Sequence, residues 1–217
     1  MPASTPASST PSSMGTSSSA APVPVASVAV AKRLSSPISI NSTAVNTLTQ
    51  GNSFAIANQI SGAGAITNPA DLSATAKPLW DANNLYLSVE VKDDIVNPAG
   101  SNALSPANRD GIEVMLDLNK SKGATMDGMD DCKLAFVYGE STPSNTFGGF
   151  GPSGCNTTGV ETYSTLITGG YRIDAKIPWS TLKVSPSVME NQIIGFDIQV
   201  NDNDGGASGR DSVISYN

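Results

Sequence analysis

Leu79-Trp80-Asp81-Ala82-Asn83-Asn84-Leu85-Tyr86-Leu87-Ser88-Val89-Glu90-Val91-Lys92-Asp93-Asp94 reads as a tight polar turn running into a strand. Leu85, Leu87, Val89 and Val91 fall on alternate positions and share one face; Tyr86, Ser88, Glu90 and Lys92 share the other. A period of two puts the apolar set against a core and leaves the polar set to water, as in an antiparallel sheet with one wet face.

The same grammar extends from Ile38 to the end of the chain. It predicts strands at Ile38 to Ile40, Phe54 to Ile60, Ser73 to Lys77, Leu85 to Lys92, Gly111 to Leu118, Lys133 to Tyr138, Glu161 to Ile167, Gly170 to Lys176, Ile193 to Asn201 and Ser212 to Tyr216. Turn signals separate them, among them Asn83-Asn84, Lys122-Gly123, Gly169-Gly170 and Asp204-Gly205-Gly206. Short helical pieces are expected at Pro178 to Leu182 and Asn68 to Leu72. Many short strands with Gly and Pro punctuation and no helical period predict an all-β fold, a two-sheet antiparallel β-sandwich of the jelly-roll kind.

No charged side chain occurs before Lys32, and the opening stretch is dominated by Ser, Thr, Ala and Pro, as in Met1-Pro2-Ala3-Ser4-Thr5-Pro6. Such a segment buries too little apolar surface to offset its ordering entropy. Residues 1–34 therefore read as a disordered linker or stalk, and 35–217 as one folded domain. Tails of this kind join modules in secreted polysaccharide-degrading proteins.

The net charge of −7 and the lack of a basic cluster argue against nucleic acid and anionic membranes as partners. No apolar run approaches the roughly 20 residues of a membrane span, and no signal-peptide succession opens the chain, so a mature product or an excerpt is expected. There is no histidine, which removes His-dependent triads, the usual zinc sites and His-ligated haem. The two cysteines, Cys132 and Cys155, lie at a strand start and in a Gly-rich loop; a disulfide in a secreted protein is expected, with two free thiols the alternative.

Asp110-Gly111-Ile112-Glu113-Val114-Met115-Leu116-Asp117, Ile177-Pro178-Trp179 and Ile194-Gly195-Phe196-Asp197-Ile198-Gln199-Val200-Asn201-Asp202 follow the opening segment in chain order. Together these motifs resemble the family 9 carbohydrate-binding modules over about residues 38 to 217. The resemblance implies a β-sandwich, often stabilised by calcium, that binds sugars at chain ends without catalysis. Glu113 matches the family's ligand-binding Glu and Gln199 its Gln. Each sits mid-strand between inward apolar residues, so both are expected on the polar face. Asn201 and Arg109 join them as candidate contacts, and so do Phe147 and Phe150, whose glycine neighbours let backbone approach a ligand. The chain departs from the family pattern in three places. Pro106-Ala107-Asn108-Arg109 stands where a stacking tryptophan belongs, the second such tryptophan would lie after Tyr216-Asn217, and Ala135 replaces an arginine. Trp80 and Trp179 are expected to be buried anchors rather than replacements. Weak binding follows, because stacking supplies the apolar burial that hydroxyl bonds lack.

Asp127, Asp130 and Asp131, and separately Asp202 and Asp204, put closely spaced oxygen ligands on glycine-containing turns, the chemistry calcium prefers. A structural calcium ion is the expected cofactor. Paired acids also occur in glycosidases, but these acids lie on separate turns, and no enzyme is expected. The leading reading is a carbohydrate-binding module of a secreted or cell-surface protein, with a polysaccharide or oligosaccharide as partner and other copies or modules of a surface assembly as further ones. The alternatives are a structural domain of a surface layer, stalk or filament, and a haem b electron-transfer domain using Met115, Met126 or Met129 with a second ligand such as Lys133.

Overall fold

A computed structural model describes residues 28–62, 65–97, 105–121, 125–145, 154–182, 191–205 and 209–217. Phe147 and Phe150 lie outside the described residues. The elements run β1 (Lys32–Arg33), α1 (Val45–Leu48), β2 (Phe54–Ile56), β3 (Asn58–Ser61), β4 (Leu72–Trp80), β5 (Asn84–Asp93), β6 (Gly111–Asp117), β7 (Asp131–Val137), β8 (Glu161–Ile167), β9 (Gly170–Pro178), β10 (Gly195–Asp202) and β11 (Ser212–Ser215), with short 3₁₀ turns at Pro106–Asn108 and Trp179–Leu182.

The strands form two sheets. One has the order β1-β4-β5-β9-β8, with β2 sharing the β4 edge; the other has the order β3-β11-β10-β6-β7. All pairings are antiparallel except the two-residue pairing of β1 with β4. Leu85, Leu87, Val89 and Val91 of the first sheet meet Ile112, Val114, Leu116, Phe136, Ile198 and Val200 of the second in a single core. The alternation read from the sequence thus sets which face of β5 is buried against the other sheet.

The turn before β5 is organised by Asp81. Its Oδ1 accepts the Asn83 and Asn84 amides at 2.7 and 2.8 Å, and its Oδ2 accepts the Tyr86 hydroxyl at 2.6 Å. Burial pulls the Asp81 pKa up, but hydrogen bonds from Tyr86, Asn83 and Asn84 outweigh it and hold the carboxyl below its ordinary value. Trp179, 2 % exposed, donates Nε1 to the Asp81 carbonyl at 3.0 Å, which makes it a structural anchor; Trp80 is half-buried beneath the Arg33 guanidinium.

Four expectations are corrected. Phe54 to Ile60 is not one strand: the chain leaves the first sheet after Ile56 and enters the second at Asn58. Ile38 to Ile40 forms no strand and instead packs with Leu34, Ala44, Leu48 and Leu79 over Tyr86. That small outer cluster closes part of the polar face of β5 over Tyr86, and Ser88, whose hydroxyl donates to Asp174, is buried as well, so neither is wet. Asn68 to Leu72 is a turn rather than a helix, because the Asn68 side-chain amide oxygen accepts the Ala70 amide, the Asp71 carboxylate accepts the Thr67 amide, and β4 begins at Leu72. The disulfide is present between Cys132 of β7 and Cys155, with Cα atoms 5.2 Å apart.

Candidate functional site

Two features stand out on the second sheet: its outer face and the acidic end where β6 and β10 meet. Register builds the face. Gln199 of β10 opposes Glu113 of β6, which opposes Ala135 of β7; one step along, Asn201 opposes Gly111, which opposes Val137. Gly111 is required there, since a Cβ would lie 2.4 Å from the Phe136 carbonyl oxygen.

The sequence places Glu113, Gln199 and Asn201 on one face, and the structure brings them together. Glu113 is fully sheltered, Asn201 is 1 % exposed and Gln199 is half-buried. Lys133 Nζ lies 2.7 Å from Glu113 Oε2. The contact is ionic rather than an aligned hydrogen bond, and neither carboxylate oxygen of Glu113 has a hydrogen-bond partner. Asn201 accepts Arg210 Nη1 at 3.0 Å, but its Nδ2 donor is also unpartnered. A buried acceptor and a buried donor left short of hydrogen bonds on one face are costly unless something polar completes them. Arg109 sits at the rim and pairs with Glu140. Lys133, Arg210 and Glu140 carry no motif in sequence; the register reveals Lys133, and contacts with Asn201 and Arg109 reveal the other two.

The acidic end gathers residues far apart in the chain. Asp71, Asp202 and Asp204 form one close group, Asp93, Asp94 and Asp204 a second, and Asp93, Asp110 and Asp202 a third. Asp110 spends both oxygens, Oδ2 on the Asn97 amide and Oδ1 on the Asn203 amide, whereas Asp93 accepts the Ile95 amide and Asp202 the Ser212 hydroxyl through one oxygen each. Asp93 Oδ2, Asp202 Oδ1 and Asp204 Oδ1 are left buried with no hydrogen-bond partner. Desolvation, then repulsion from Asp110 and Asp204, pushes Asp93 up to about 7. Asp110 and Asp202 are likewise raised to about 7, chiefly by burial. The Tyr171 hydroxyl, buried and unpartnered, is driven upward by burial and by the same carboxylates.

A buried set of converging carboxylate oxygens fits a hard divalent cation that takes oxygen ligands. Of the sequence-derived metal residues, Asp202 and Asp204 belong to this cluster, joined by Asp71, Asp93, Asp94 and Asp110. Asp130 and Asp131 come together elsewhere, with Asp117. Asp127 spends its carboxylate on the Met129 and Asp130 amides.

Among the described residues, no helix is long and apolar enough to cross a membrane. The chain is 39% identical over 134 residues to the endo-1,4-beta-xylanase A of Thermotoga maritima, covering 61% of this chain and 11% of that enzyme. It is 33% identical over 132 residues to the exoglucanase XynX of Acetivibrio thermocellus, covering 61% of this chain and 11% of that one. The chain thus spans about a tenth of the length of the curated relatives it matches. Among solved structures it resembles a carbohydrate binding module family 9 from Caldicellulosiruptor kristjanssonii in complex with cellotriose. That likeness has a TM-score of 0.65 and 25% identity, over 86% of this chain and 82% of that one. The profile of the carbohydrate family 9 binding domain-like family matches residues 41–217, and the chain belongs to that family.

Proposed function

We propose that this chain is a non-catalytic carbohydrate-binding module of a secreted or cell-surface protein, and that it engages oligosaccharide or polysaccharide through the outer face of its second sheet. The observation that carries the reading is the buried hydrogen-bonding capacity left open at Glu113 Oε1 and Asn201 Nδ2, beside the half-buried Gln199 amide. Sugar hydroxyls donate and accept at once, so they can complete a carboxylate acceptor and an amide donor together. The relatives that contain a similar module are xylanases and an exoglucanase, and a similar solved module holds cellotriose. Both support a plant-polysaccharide ligand.

Binding is weak. A few hydroxyl bonds yield about 0.5 to 1.5 kcal/mol each, and Pro106-Ala107-Asn108-Arg109 offers no ring on which to stack. A Kd of roughly millimolar for mono- or disaccharides follows. Calcium would be held by Asp71, Asp93, Asp110, Asp202 and Asp204, where it supplies the positive charge their carboxylates lack.

Isothermal titration with glucose and cellotriose, with xylan and cellulose pull-down, tests the reading on the parent, Glu113→Ala and Gln199→Ala. The parent binds and both variants lose affinity. A parent that gives no heat and is retained on neither polysaccharide refutes it. Tight binding unchanged in both variants moves the site elsewhere.

A further inference from the structure

We propose that Lys133 is the positioning residue of the sugar face: its ammonium neutralises and aims the Glu113 carboxylate so that ligand hydroxyls can donate to it. The inference rests on the carbohydrate-binding reading and deepens it. Parity puts Lys133 on the outer face: it opposes Met115, two positions along β6 from Glu113. Directly across from Glu113, Ala135 contributes no polar side-chain atom, so the counter-charge comes diagonally from Lys133. The two side chains are 8 % and 1 % exposed, so the pair is shut away from water on the outside of a sheet rather than in the core.

Stability does not account for such a pair. Two desolvated charges are generally no better than an apolar pair of the same volume, while a buried carboxylate left alone is strongly unfavourable. What the pair does provide is a charged acceptor whose Oε1 has no partner and whose Oε2 is held by the Lys133 ammonium alone. Hydrogen bonds to a charged acceptor are shorter and stronger than those to a neutral one, which suits a face that lacks stacking. Lys133 thereby sets how firmly the face holds a hydroxyl.

The test compares the parent with Lys133→Met, Lys133→Arg and the double variant Glu113→Gln/Lys133→Met, each titrated with cellotriose and melted thermally. The double variant removes both charges, so it folds even if an unpaired Glu113 unfolds Lys133→Met. Lys133→Met and the double variant bind about tenfold or more weakly, the worth of one charge-assisted hydrogen bond. Lys133→Arg, which keeps the charge, stays within about threefold of the parent. Parent-like affinity in the double variant, or equal loss in Lys133→Arg and Lys133→Met, overturns the role of Lys133 and leaves the carbohydrate reading standing. A parent that binds no sugar overturns both.

Discussion

Stripping divalent cations from the protein exposes the electrostatic cost of its acidic end. Asp93, Asp110 and Asp202 each rise from an ordinary value of 3.8 to about 7, and the charges acting on Asp93 are all carboxylates. A carboxyl with a raised folded-state pKa holds its proton more tightly folded than unfolded. Its contribution is therefore complete below the unfolded value and is lost as pH climbs through about 7. Holding one such group charged costs the folded state about 4 kcal/mol, against the 5 to 15 kcal/mol of a typical domain. About 2.7 kcal/mol of that falls between pH 5 and pH 8, because the unfolded carboxyl is already ionised by pH 5, and for a domain of this size it lowers Tm by about 5 to 10 °C. Millimolar calcium over a micromolar site returns about 4 kcal/mol and removes the fall. Differential scanning calorimetry in chelator and in calcium, at several pH values, measures both arms. Asp93→Asn sharpens the comparison, since it stabilises the chelated protein at pH 8 and weakens the calcium-loaded one. A Tm in chelator that holds steady or rises from pH 5 to pH 8, with calcium making no difference, refutes the reasoning.

Two further outcomes concern stability alone. Reducing the Cys132–Cys155 bond, which closes a loop of sequence separation 23, lowers unfolding free energy by about 3 kcal/mol in urea titrations; a midpoint unmoved by reduction contradicts this. Gly111→Ala drives a methyl into the Phe136 carbonyl and costs about 1 to 3 kcal/mol as β6 and β7 part, so a variant melting with the parent shows that the strands yield more cheaply than the spacing implies.

Most strands were legible because period-two alternation is local: Leu85 to Val91, Ile112 to Leu116 and Ile198 to Val200 each declare a buried face within a few residues. Phe54 to Ile60 misled for the same reason. Its composition is continuous, and nothing local marks Ala57 as the point where the chain changes sheets. The covering of Tyr86 by Leu34, Ile38 and Ile40 is likewise a tertiary event. At the site, Glu113, Gln199 and Asn201 could be placed on one face by parity. Lys133 needed the pairing of β6 with β7, and Arg210 needed the turn after β10. The acidic end shows the limit most sharply: Asp202 and Asp204 look like a solvated turn until Asp71 and Asp110, just before β4 and β6, and Asp93, at the end of β5, converge on them.

Val28 and Asn217 line one groove of the sandwich, together with Trp80 and Phe196. A pull applied between those two points loads the domain from one side. It peels β1 from β4 pair by pair, Lys32 from Leu79 and Arg33 from Trp80, and does not shear the long β4, β5 and β9 ladders along their length. Held by two residue pairs alone, β1 is the part of the first sheet that lets go first, while β5, paired along its length on both sides, is the part that lets go last.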